Sequence, residues 1–299
     1  MAYYQKLDWD VVDYQLQVLD PEIIESLTGK ELLVRGPIPE KLEKNSYFVC
    51  IGAAQTYGRF CPNPYPKLLQ ERLEIPALNL GHGGSTPSYF LEHEKLSKYI
   101  NNAKFAIIQV TSARYASNAY FESEYEPKRS YLFTRKSNGE KIPWIKVYQE
   151  LLDKYDKEYV KKNVAESREN WIKESKKIFA QINIPKILFW FSIRQPDYQY
   201  NYNNKQAHLL CKAYPQLVNL QMIEAIKNDC EEYVECVSER GMPQILINRF
   251  TGEPIKVDQK WKGIEKKVET SKNKYYPSPE MHMDAANALE EVCQKYCDL

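Results

Sequence analysis

Tyr47-Phe48-Val49-Cys50-Ile51-Gly52-Ala53-Ala54-Gln55-Thr56-Tyr57-Gly58-Arg59 is the stretch on which the fold turns. Five apolar residues run without a polar interruption and stop at a glycine. This is the pattern of a strand buried on both faces, as parallel strands are, and not of an edge strand that alternates inward and outward. The short polar loop bounded by Gly52 and Gly58 then leads to Pro64-Tyr65-Pro66-Lys67-Leu68-Leu69. Tyr65, Leu68, Leu69 and Leu73 recur at helical spacing, so strand, glycine loop and helix follow one another as a β-α unit.

The same rhythm recurs downstream. Ala77-Leu78-Asn79-Leu80 predicts a second strand stopped by glycines, 87–100 a helix, and Phe105-Ala106-Ile107-Ile108-Gln109-Val110 a third strand. A helix is expected over 164–182, a fourth strand over 186–193, a helix over 216–230, a fifth strand over 233–237 and a closing helix over 279–296. Strands alternating with helices predict an α/β fold, a three-layer sandwich around a central parallel sheet of about five strands. Ligands in such sheets bind at the carboxyl ends of the strands, so the loops beginning at Gly52, Gly81, Thr111 and Arg194 are expected to converge on one crevice. One domain is expected over 1–299. Residues 1–46 form an approach segment, in which Asp20-Pro21 predicts the start of a short helix to about Leu27. Residues 119–160 are charged, rich in tyrosine and carry the turn Ser137-Asn138-Gly139, which predicts a helical or irregular insertion or cap.

Composition narrows the function. The chain has 299 residues, 43% hydrophobic and 27% charged, enough for a sizeable core. Its 41 Lys and Arg nearly cancel its 40 Asp and Glu, which argues against bulk attraction to nucleic acid or to an anionic membrane. Seven cysteines without a CxxC pair predict free thiols in a reducing, cytoplasmic setting. The four histidines have no ligand spacing with a cysteine, so no metal site is expected. The amino-terminal residues lack an apolar core and no run approaches the length of a membrane span, so neither a signal peptide nor membrane insertion is expected.

Gly52-x-x-x-Thr56-Tyr57-Gly58, Tyr65-Pro66-Lys67-Leu68-Leu69 and Asn79-Leu80-Gly81-His82-Gly83-Gly84 together resemble, in order and spacing, the blocks of the SGNH (GDSL-type) hydrolase family. That family has a strand ending in Gly-Asp-Ser-x-Thr-x-Gly, a Tyr-Pro-x-x-Leu helix, and Asn-x-Gly-x-x-Gly after the second strand. The likeness covers 47–110 and, more loosely, the carboxyl terminus. It implies a flavodoxin-like sheet and places the family's nucleophilic serine on Ala54 and the aspartate beside it on Ala53. Tyr276 then falls on the base position and Asn273 on its orienting acid, whereas a rival register makes His282 the base and puts Pro279 in the acid's place. The third block falls near Thr111-Ser112-Ala113-Arg114 without its Asn and Asp, and Gly84 matches the oxyanion glycine. Alanine has no nucleophilic atom, so hydrolysis by a Ser–His pair through Ala54 is not expected.

Other residues could replace that chemistry. Arg59, Arg114 and Arg194 each follow an expected strand, and guanidinium forks suit sulfate, phosphate or carboxylate; the plain alternative is that each pairs with a nearby acid. Gln55, Thr56, Gly84, Ser85, Ser112, Asn118 and Tyr276 complete the expected ligand-binding set, although residues such as Ser112 and Asn118 more often cap a following helix. His282 and His82 are the candidate catalytic bases, against readings as a packing residue and a loop residue. Tyr198, Tyr200 and Tyr202 alternate in a loop rich in Asn and Gln, which suits stacking on sugars or an ordered polar loop. The expected function is a transferase moving a sulfo or acyl group onto a carbohydrate in polysaccharide modification. Its donor would be a nucleotide sulfate or acyl-CoA, its partner a small molecule or glycan, and no cofactor would be held tightly. The alternatives are a non-catalytic carbohydrate- or anion-binding protein, and a hydrolase with a relocated nucleophile such as Ser85 or Ser112.

Overall fold

The computed structural model describes residues 11, 12, 14, 16–25, 30–123, 132–259 and 268–298. Five parallel strands form its central sheet: β1 (Phe48–Gly52), β2 (Ala77–Gly81), β3 (Ala106–Gln109), β4 (Lys186–Ser192) and β5 (Glu232–Val237). They lie in the order β5-β4-β3-β1-β2. β1, β2 and β3 are buried along their whole length, as their apolar runs require, whereas the edge strand β5 alternates.

The two faces of β1 feed two separate cores. Phe48 and Cys50 join Ile107, Phe189 and Phe191 beneath helix α1 (Tyr65–Leu73) and the closing helix, through Tyr65, Leu69, Met281, Ala285 and Leu289. Val49 and Ile51 point the other way, into a cluster with Leu80, Ile108, Leu188, Tyr89, Phe90 and Trp171. The last of these lies on helix α2 (Lys157–Gln181), which Asp156 caps by accepting from Tyr159 N at 2.8 Å. Ser278 caps the closing helix, α3 (Pro279–Gln294), in the same way from Met281 N, with Pro279 at its first position. Helices therefore cover both faces, and the three-layer α/β architecture is the one the apolar periodicity predicts.

Several local expectations are corrected. The insertion is helical in part, as expected, and its remaining described part is a sheet. Phe121–Ser123, Leu132–Arg135 and Lys141–Pro143 form a three-stranded antiparallel sheet, followed by the helix Trp144–Lys154. Phe121, Phe133 and Tyr148 pack together beneath it, and Arg135 pairs with Glu150 at 2.6 Å. Gly139 takes the left-handed conformation (φ 70°) that its turn needs. The helix expected over 87–100 is two helices, Pro87–Glu92 and Leu96–Asn101, and the one expected over 216–230 is shortened to Leu220–Ile226 behind the cap Asn219. Asp20 does not start a helix. It closes a turn onto Glu22 N, and Ile24–Glu25 pairs with Lys30–Glu31; the expected end near Leu27 lies outside the described residues. No described helix is long and apolar enough to cross a membrane.

Candidate functional site

β1 leads sideways to β2 while β3 leads to β4 and β5, so the connections diverge between β1 and β3, the switch point at whose carboxyl ends sheets of this kind bind ligands. A buried polar network fixes the backbone there. Gln109, at the end of β3, accepts through Oε1 from Ala53 N at 3.1 Å and from Thr56 Oγ1 at 2.7 Å. With its proton committed, Thr56 receives the Tyr65 hydroxyl at 3.0 Å. Asn79 Nδ2 donates to Thr56 O at 2.9 Å while its Oδ1 accepts from Gly81 N. Gly52 O accepts from His82 N at 3.0 Å and from Ser85 Oγ at 2.7 Å. Gly84 turns the second loop with φ 85°. The glycine block, Thr56 and Ser85 therefore form one unit around Ala53 and Ala54.

The third loop is roofed by a later segment. Ala113 N and Ser112 Oγ of the third loop both donate to Gln216 O, and Gln216 Nε2 donates to Tyr275 OH at 3.0 Å. Arg114 is buried with its guanidinium 4.5 Å from the Tyr115 ring and 4.7 Å from Trp144, and Arg59 lies between Phe60 and Tyr276 at 5.1 and 5.2 Å. Ala54 is left 7% exposed and Gln55 3%. The open side is the second loop. Gly83 is exposed, His82 and Gly84 are half-buried, and a Cβ placed on Gly83 meets nothing within 4 Å.

The two candidate bases differ in access. His282 is 0% exposed; its Nδ1 accepts from Tyr65 N at 3.2 Å, and its ring lies against Tyr65 and Phe191. Burial, with a smaller contribution from the Arg35 charge, pushes its pKa down to about 3. It faces the core and not the crevice. His82 stacks on Tyr89 at 4.8 Å, with His93 on the same ring at 4.4 Å. Desolvation first, and the neighbouring His93 second, lower its pKa to about 4. Its imidazole is thus neutral at physiological pH beside the open loop.

Arg194, Asn118 and Asn273 hold the fold. Arg194 donates to the carbonyls of Ala213, Gln195, Pro215 and Val218 and lies over Trp190 and Tyr198; burial lowers its pKa to about 10. Arg194→Met should cost about 3 kcal/mol, because buried carbonyls lose charged donors. Chemical denaturation checks this, and an unchanged midpoint would return Arg194 to the ligand set. Asn118 accepts from Tyr120 N and Phe121 N and donates to Asn163 O and Ser167 Oγ. Asn273 closes a turn onto Tyr275 N and Tyr276 N. The tyrosine loop folds back on α2, where Arg168 donates to Tyr198 OH. Among the described residues no three His, Cys, Asp or Glu side chains gather as a metal site would require.

Comparison with known proteins adds a family. Residues 22–138 and 147–297 match the family described as Domain of unknown function (DUF6473). The chain belongs to that family. No curated protein matches it. Among solved structures it is similar to an extracellular lipase from Streptomyces rimosus (8% identity, 84% of this chain and 99% of that one, TM-score 0.42). It is also similar to carbohydrate esterase family 2 enzymes from Corynascus thermopiles (11%, 91% and 70%, 0.40) and Clostridium thermocellum (8%, 88% and 67%, 0.40). These likenesses carry no activity across; the strand order of the sheet carries the fold assignment.

In this DUF6473 member the residues that organise the crevice include three that reading for reactive side chains passes over: Gln109, Asn79 and Gln216. A signal existed for the first two. Each is a single polar residue inside an otherwise apolar, buried strand, and such a residue needs partners there. Gln216 carried no comparable signal, because its position depends on a loop 104 residues away from Ser112.

Proposed function

We propose that the protein binds a ligand bearing hydroxyls and an anionic group, in the class of acylated or sulfated sugars, at the β1/β3 crevice, and does not cleave it through an acyl-enzyme. The observation carrying this reading is the setting of Ala54. Hydrogen bonds of Ala53, Thr56 and Ser85 fix the loop around it, while the position itself offers a methyl group. The guanidinium groups of Arg59 and Arg114, on the loops after β1 and β3, supply positive charge. Gln55 Oε1 and Gln216 Oε1 are buried acceptors without a hydrogen bond, and ligand hydroxyls would satisfy them. A relocated serine fits less well, since the hydroxyls of Ser85 and Ser112 are buried and donate to the Gly52 and Gln216 carbonyls.

One observation favours a second reading, transfer of a sulfo or acyl group from a nucleotide sulfate or acyl-CoA to a sugar hydroxyl. His82 is neutral and sits at the open loop, so its lone pair could take the hydroxyl proton as the oxygen bonds the transferred group and the donor's phosphate or thiolate leaves.

Gly83→Trp separates binding from folding. Its side chain starts in open space, so the variant should fold normally and lose the thermal stabilisation that sulfated or acetylated oligosaccharides give the parent. That stabilisation should reach about 2.7 kcal/mol at a ligand concentration of 100 times Kd. Retained stabilisation in the variant would move the site elsewhere. Labelling of a serine by a fluorophosphonate probe would overturn the non-hydrolytic reading, and product formation from a nucleotide sulfate or acyl-CoA would select the transfer reading.

A further inference from the structure

We propose a second ligand site, separate from the strand ends, that takes a small organic anion: an oxyanion on a compact apolar body. The site is a cavity of about 220 Å³ between the approach segment, the start of α1 and the outer strand β2, whose Ala77 and Asn79 form part of its wall. Ala54, Gly84 and Arg114 are not among its walls.

Its shape is set in advance. Pro37, Pro62, Pro64 and Pro66 line it. Proline rings give apolar surface with a fixed φ and no N–H group, so little conformational freedom is lost when a ligand enters. Polar recognition is left to a few side chains, as in small-molecule sites generally.

Those side chains offer donors and positive charge. Among the described residues the walls contain Arg35 and Lys67 and no carboxylate. Arg35 is buried and held rigidly: it donates to the carbonyls of Gly58, Cys61 and Pro62 and lies between the Tyr14 and Tyr57 rings at 4.5 and 5.3 Å. Lys67 is exposed, and its ammonium donates to Asn63 Oδ1 at 2.8 Å with no ion pair among the described residues, which leaves further N–H groups for a ligand. Gln70 Oε1 is committed to Ala77 N at 2.9 Å, so that side chain presents its amide nitrogen. A cavity with apolar walls, a fixed cation, a movable cation and an amide donor is complementary to a carboxylate, or to a sulfate or phosphate ester, on a small apolar group.

The test titrates the full chain with benzoate, phenyl phosphate and phenyl sulfate at constant ionic strength, with benzyl alcohol as the neutral comparison, by calorimetry. At least one anion should bind saturably and more tightly than benzyl alcohol, and the tightest of the three identifies the oxyanion. Lys67→Met keeps the apolar stem and should raise Kd about tenfold or more. Gln70→Glu keeps an acceptor for Ala77 N, puts a negative charge in the cavity and should abolish binding. Gly83→Trp, at the crevice, should leave this binding unchanged, which separates failure here from failure of the proposed function. No saturable binding by any of the three anions, equal binding of benzyl alcohol, or an unaltered Kd in Lys67→Met would overturn the proposal.

Discussion

Gly81→Ala should leave little folded protein. The added Cβ would stand 2.2 Å from Tyr57 N, 2.7 Å from Thr56 C and 2.8 Å from Tyr57 Cα. All three are backbone atoms of the helical turn Ala54–Tyr57 that follows β1, so no rotamer change can relieve the contact. Relief requires β2 to move away from that turn, which breaks the Asn79 bond to Thr56 O. The expected cost is about 3–5 kcal/mol, a large share of the roughly 5–15 kcal/mol that keeps a domain folded. Gly52→Ala should be damaging for a different reason, since its Cβ would meet Thr56 Oγ1 at 2.1 Å and Gln109 Oε1 at 2.6 Å and so disrupt the polar network. Soluble yield and the urea midpoint check both variants. A Gly81→Ala protein that melts with the parent would show that β2 and the first loop are not in the close contact described.

Acid should destabilise the protein well above the carboxylate range. His282 has its pKa pushed from 6.5 down to about 3 by burial, so the folded state keeps it neutral where an unfolded chain protonates it. Above about pH 6.5 neither state binds the proton and the group has no effect on stability. As pH falls below that value the unfolded state gains protons that the native state does not, and stability drops until the native imidazole itself titrates near pH 3. At about 1.4 kcal/mol per unit, the loss between pH 6.5 and 4 is on the order of 3 kcal/mol. Asp284, held below the usual carboxylate range by its hydrogen bonds to Arg240, contributes only at lower pH, so the upper window belongs to buried imidazoles. His82 adds in the same direction. His282→Asn, whose amide oxygen can still accept from Tyr65 N, should flatten the dependence between pH 6.5 and 4 even if it is less stable at neutral pH. An unchanged slope in that variant would mean the imidazole is not sealed.

Much of the architecture was legible without coordinates. All five strands stand where the apolar runs put them, and α1 has the bounds that the spacing of Tyr65, Leu69 and Leu73 implies. Apolar periodicity is a local property, and a buried parallel strand has little choice but to be apolar throughout. The insertion was not legible as a sheet, because its strands are three or four residues long and its tyrosines and charges mask any alternation. The site was legible in part. Thr56 and Ser85 bond to Gln109 and to Gly52 O beside Ala53 and Ala54, Ser112 bonds to Gln216 O, and Arg194 and Asn118 are bound into the scaffold.

Which atoms a residue owns, and which conformations its backbone tolerates, are written in the chain. The methyl side chain of Ala54, the close approach at Gly81 and the turn at Gly84 are of that kind, because side-chain chemistry and steric freedom belong to the residue itself. Whether a side chain meets solvent depends on partners far along the chain. His282 is buried against residues such as Tyr65, 217 positions away, and the third loop is roofed by a segment more than a hundred residues later. Burial at that range sets the pKa and the access, so only the folded arrangement could decide them.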